Sequence, residues 1–188
     1  MFHDYVHMNK NYFVGIYWGP REESRQSSAD RLSGFLCALA SHNTVLSKWY
    51  KQGKSRKEAS QVVLPNDSEG LAPLLKTNRR DIGREVIPEL GFSFSAWSGP
   101  DASISASLMV TCGSYSRFTG NAVVIRFEPN PELDIGMLES ILHAAVAEFE
   151  PEHGVVSWSG AMSANDTLPI WEAPSLLRYQ KGVGFSTR

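Results

Sequence analysis

The chain has 188 residues, of which 42% are hydrophobic and 20% charged, with a formal net charge of -2. That is enough apolar material for one core, and it excludes a disordered chain and a string of small modules, since one domain typically takes about 100–200 residues. A single domain over residues 1–188 is expected, with 1–9 a loose N-terminal extension. No apolar run approaches the ~20 residues of a membrane span or the h-region of a secretory signal, so a cytoplasmic protein is expected.

Tyr12 to Trp18 is almost wholly apolar and predicts a central strand covered on both faces. It ends at Gly19-Pro20. Leu32, Phe35, Leu36 and Leu39 then recur at helical spacing, which predicts a helix over about Ala29 to Ser41 capped by Ser27 or Ser28. From Asn43 to Arg84, Pro65, Gly70 and Pro73 break every periodicity, so short helical pieces and loops are expected. Phe92, Phe94 and Ala96 alternate with Ser93, Ser95 and Trp97, and Ile104 to Val110 repeats the pattern. The pair reads as a half-buried antiparallel hairpin turning at Ser98 to Asp101. Asn121 to Phe127 adds a third strand that stops before Pro129.

Ile135, Leu138, Leu142, Ala145, Val146 and Phe149 mark the clearest helix, with Asp134 at its positive N-terminal end. Val155 to Trp158 supplies the last confident strand. The order predicts an α+β fold: a mainly antiparallel sheet of about five strands with helices packed on it.

Signals for catalysis are weak. The five histidines lie singly, His3 and His7 fall on the terminal extension, and no Cys-x-x-Cys or His-x-x-x-His with a third ligand appears, so no metal or other cofactor is expected. Cys37 and Cys112 read as buried free thiols. The serines near Ser98 and Ser159 lack the spacing of a nucleophile elbow, and Gly182-x-Gly184 is too short to cradle phosphate. His143 follows Glu139 by one helical turn, the pattern of a salt-linked surface histidine. The expectation is a protein that acts by binding and is not an enzyme.

Charge is distributed unevenly. Nine acids and no Lys or Arg fall between Phe127 and Leu177, so the rest of the chain carries +7. Lys48, Lys51, Lys54, Arg56 and Lys57 surround Trp49 and Tyr50 in one basic run, and Arg79, Arg80 and Arg84 form another. Two uses suggest themselves beyond solvated faces: the acidic stretch docks on a basic protein, or the basic run binds nucleic acid. A pI near 6.2 and the lack of an RNA-binding signature argue against the second.

Several segments, in this order, resemble the immunity protein 52 family of bacterial polymorphic-toxin and type VI secretion systems. They are Tyr-Phe-Val-Gly-Ile-Tyr-Trp-Gly-Pro-Arg at Tyr12 to Arg21, Trp49-Tyr50 with Gly53 to Ala59, and Asn78-Arg79-Arg80-Asp81. Ile87 to Ser93 leading to Trp97, Cys112-Gly113-Ser114-Tyr115 and Gly182-Val183-Gly184-Phe185 complete the set, with Phe185 standing where the family pattern has a tryptophan. The resemblance implies an antitoxin whose partner is a cognate secreted nuclease toxin of the restriction-endonuclease-like class. It carries over no catalytic residue.

A nuclease holds phosphate with Lys and Arg, so an acidic surface is suited to steer toward it and cover its cleft. Glu132, Asp134, Glu139, His143, Glu148, Glu150 and Glu152 are the candidate contacts. Trp49 and Trp97 are candidate aromatic anchors, each with a core-packing alternative. The competing reading of another class is a nucleic-acid-binding module built on Lys48 to Lys57.

Overall fold

The computed structural model describes residues 10–42, 46–51, 62–78, 85–99, 102–161, 172 and 174–187. The expected N-terminal extension, most of the basic run and Arg79, Arg80 and Arg84 lie outside these residues. Strand β1 (Tyr12–Trp18) sits at the middle of the sheet, hydrogen-bonded to a strand on either side, as its unbroken apolar sequence demands. Tyr12, Val14, Ile16 and Trp18 point into the main core, while Phe13 joins a small cluster on the other side of the sheet.

Helix α1 (Arg25–His42) begins a turn earlier than its apolar spacing suggests. The reason is local: Ser24 Oγ accepts the Ser27 amide at 3.0 Å, so Ser24 takes the capping role expected of Ser27 or Ser28, and Ser28 is buried inside the helix. Arg25 ties this first turn down through Leu75 O at 2.9 Å and Thr77 Oγ1 at 2.7 Å.

The irregular region contains β2 (Tyr50–Lys51), the short α2 (Ser68–Leu71) capped by Asp67, a 3-10 turn at Ala72–Leu74, and β3 (Lys76–Thr77). Both two-residue strands pair with β4 (Phe92–Trp97). β4, β5 (Ala106–Cys112) and β6 (Asn121–Phe127) form the expected meander. α3 (Ile135–Phe149) then leads to β7 (His153–Trp158), β8 (Leu177–Gln180) and β9 (Gly184–Thr187).

The fold is α+β and antiparallel as expected, but the sheet has nine strands rather than about five, in the order β2-β4-β5-β6-β1-β7-β8-β9 with β3 also on β4. The additional strands are two to four residues long, too short to show alternation.

Register sorts the side chains into two faces. Val14, Ile16, Phe94, Ala96, Leu108, Val110, Val123, Ile125 and Val156 all join α1 and α3 in the main core. Gly154 permits the approach of α3, because a Cβ there would stand 2.9 Å from Leu142 Cδ1 and 3.2 Å from Tyr179 Cβ. On the opposite side the strands present Ser93, Ser95, Trp97, Ser107, Met109, Thr111, Arg126, Tyr17 and His153. Of the two thiols expected to be buried, Cys112 is and Cys37, on the outer side of α1, is exposed.

Candidate partner-binding surface

The acidic segment folds into one contiguous element. Asp134 caps α3 by accepting the Met137 amide at 2.7 Å, which places its carboxylate at the positive end of the helix dipole. Glu132, just before it, is exposed and its amide is held by Asn130 Oδ1 at 2.8 Å. One helical turn further, Glu139 lies half-buried on the outer flank.

The far end of α3 is occupied by arginines from the start of the chain. Arg21 donates to Phe149 O at 2.8 Å and Glu150 O at 3.4 Å, and Arg31 donates to Glu148 O at 2.5 Å. These are carbonyls that a helix C-terminus leaves without internal partners. Glu23 stands between the two guanidiniums, 2.9 Å from Arg21 Nε and 3.1 Å from Arg31 Nε. Arg31 also lies 3.6 Å from the Glu150 carboxylate, and the Glu148 carboxylate packs on α1 where Gly34 leaves room for it. Glu148 and Glu150 are therefore tied into the α1–α3 junction. Their partners are more than one hundred residues away in sequence, so local charge counting could not find them.

Glu152 is exposed, with its backbone bonded to Tyr17 O and to the Lys181 amide, each at 3.0 Å. His143 is exposed too, and its ring lies 3.8 Å from that of Phe185 with an interplanar angle of 31°. Tyr179 continues the stack at 5.0 Å from Phe185. The sequence pattern gives His143 only Glu139 as a neighbour, because β9 is four residues long and its contact with α3 leaves no periodic signal.

Of the two tryptophans, Trp49 is 1% exposed and donates to Leu46 O at 3.0 Å, so it belongs to the core and offers no surface to a partner. Trp97 is half-buried on the sheet face away from the helices, tilted against Tyr50 with 6.2 Å between centroids. The acids and Trp97 thus lie on opposite sides of the sheet.

On the helix side, Asp134 and Glu139 lie on the first half of α3 and Arg21 and Arg31 stand at its far end, while the opposite face of the strands carries Lys76 and Arg126. A shallow groove of about 450 Å³ runs between the end of α1 and the start of α3, floored by Leu39, Leu46, Met137 and Ile141, with Asp134 on its rim.

A family model described as immunity protein 52 matches residues 10–166, which include β1 through β7 and both long helices. The chain belongs to the immunity protein 52 family. Its membership makes this an immunity protein, one whose role is to bind a toxin. No curated protein matches the chain. Among the described residues no helix is long and apolar enough to cross a membrane. The β8–β9 hairpin, whose Phe185 contacts His143, lies C-terminal to the matched residues.

Proposed function

We propose that this immunity protein is the antitoxin of a secreted type VI nuclease of the restriction-endonuclease-like class, which it neutralises in the cytoplasm of the producing cell by binding it without turnover. The observation that supports this reading is the acidic set of exposed Glu132, Asp134 and Glu152 with half-buried Glu139, gathered at and around the two ends of α3. A nuclease cleft is lined with cations for phosphate, so that set draws it in by long-range attraction and competes with the nucleic acid for the same groups. Glu148 and Glu150 contribute to the field, but their first role is to hold α1 on α3.

The decisive experiment co-expresses this chain with the secreted protein encoded beside its gene. The neighbour alone should kill through loss of nucleic acid integrity, and this chain should restore growth. Survival of cells expressing the neighbour alone, or killing unrelieved by this chain, would end the proposal.

A further inference from the structure

The loop between β5 and β6, residues 113–120, is held from within. Asn121 is 1% exposed; it accepts the Ser114 amide at 2.8 Å and donates to Ser114 O at 3.0 Å and to Gly19 O at 2.7 Å. The buried Ser114 hydroxyl lies 3.0 Å from Glu89 O and 2.9 Å from Thr119 Oγ1, and the amides of Tyr115 and Ser116 both donate to Glu89 O at 3.1 Å. Ser116 Oγ in turn accepts the Phe118 amide at 3.2 Å. What this framework presents to water is aromatic. Phe118 is 82% exposed, more than any other large hydrophobic side chain among the described residues, and Tyr115 is 38% exposed. Arg117 lies over the Phe118 ring at 4.8 Å. Two exposed carboxylates flank Tyr115: Glu89, which anchors the loop, and Glu22, next to Arg21, whose amide donates to Ser114 O at 2.8 Å. Arg21 itself is turned away, toward Phe149 O and Glu23. A loop whose backbone is already ordered while its aromatics stand in water meets a partner without the usual ordering cost, and Phe, Tyr and Arg side chains in such a setting are suited to anchor a protein contact.

We propose that Phe118 is the aromatic anchor of this protein for its nuclease toxin: the ring, with Tyr115 beside it, enters an apolar pocket of the toxin, and Glu22 and Glu89 meet Lys or Arg side chains on that pocket's rim. The inference rests on the antitoxin reading above and identifies a residue at the centre of the contact. Charge favours this occupant, because a phosphate-gripping nuclease supplies the cations that the two carboxylates match. The molecule holds one other receptor for such a ring among its described residues, the groove between α1 and α3 with Asp134 on its rim. Seating Phe118 of one copy in the groove of the next is a head-to-tail contact, which runs on into open chains unless the rotation closes, and it would cover the acidic end of α3 to which the nuclease is drawn.

The test uses the full chain and the catalytically disabled nuclease domain encoded beside its gene. Phe118→Ala removes a ring that stands in water, so the urea midpoint should stay where it is while binding weakens at least ten-fold, chiefly through faster dissociation. Val183→Ala alters a side chain that is 74% exposed on the β8–β9 hairpin and should bind as the unaltered chain does. Glu22→Gln with Glu89→Gln should slow association and lessen its salt dependence. Binding of Phe118→Ala within two-fold of the unaltered chain overturns the anchor and leaves the antitoxin reading intact, as does an equal loss in Val183→Ala. Association unmoved by the paired glutamines overturns the charged rim. Absence of any complex with the unaltered chain overturns both readings, and self-association of this chain that Phe118→Ala abolishes assigns the ring to the groove of a second copy and overturns the choice of occupant.

Discussion

Glu23 illustrates how one side chain can join distant parts of the chain. Its side chain is 7% exposed and lies between Arg21 and Arg31, whose side chains are 27% and 26% exposed, while both guanidiniums cap α3. Arg21 further lies over the Trp18 ring at 4.9 Å, and Trp18 packs on Phe149 at 5.7 Å. Glu23→Ala leaves two partly buried cations facing one another without their shared anion. Breaking such a pair costs about 3–5 kcal/mol when fully buried, and partial exposure of the arginines reduces this to about 2–3 kcal/mol. Urea unfolding should register that loss, and a change under about 0.5 kcal/mol would mean that water replaces the carboxylate.

Cys112 gives a second residue-scale prediction, with a pH sign. Burial pushes its thiol up to about 11, the Ser28 hydroxyl opposing this and Glu23 reinforcing it. The folded state therefore keeps the proton that the unfolded chain releases near its ordinary value of 9.0, and the resulting stability is complete below that pH and lost as pH rises through about 11. A two-unit shift corresponds to about 2–3 kcal/mol. Cys112→Ala should flatten the fall in urea midpoint between pH 8.5 and 11. At pH 8, iodoacetamide should label exposed Cys37 quickly and Cys112 only on unfolding, as peptide mass spectrometry would show.

At the scale of elements, the α3–β7 packing depends on an absent side chain. Gly154→Ala would place Cβ within 2.9 Å of Leu142 Cδ1, so either Leu142 changes rotamer or α3 lifts from β1 and β7. Overpacking of this kind costs about 1–3 kcal/mol. A lowered melting temperature, with faster amide exchange in α3 than in β4–β6, is the expected outcome; uniform exchange changes would place the strain elsewhere. This dependence also marks what the sequence could convey. β1 and β6 were legible as apolar runs bounded by Gly or Pro, the β4–β5 hairpin and α3 because period two or 3.6 persists over six or more residues, and Asp134 marked the positive N-terminal end of α3. β2, β3, β8 and β9 are two to four residues long and take their conformation from the strand beside them. The acidic candidates were legible as a composition, but the tying of Glu148 and Glu150 into the α1–α3 junction, unlike exposed Glu132, Asp134 and Glu152, depends on Arg21 and Arg31, which only the fold brings near.

For the whole molecule, the local gathering of acids around α3, set against Lys76 and Arg126 on the opposite face of the strands, makes a small net charge of -2 compatible with directional attraction. Exposed charges interact beyond contact only within a screening length of about 8 Å at physiological salt, so the side that faces the partner dominates the encounter. Two paired reversals separate the sides. Glu132→Lys with Glu139→Lys alters the helix side and spares the Arg21–Glu23–Arg31 junction, whereas Lys76→Glu with Arg126→Glu alters the sheet side. If the acidic side steers the nuclease, the first pair should slow association about ten-fold or more at low salt and flatten its dependence on ionic strength, with dissociation changed far less. The second pair should leave association unchanged or slightly faster, because it adds negative charge to a side that the cationic cleft does not approach. Stopped-flow association between about 20 and 300 mM salt reads both effects. Equal responses to the two reversals would mean that net charge alone governs the encounter, and a larger response to the second would move the interface to the Trp97 side of the sheet.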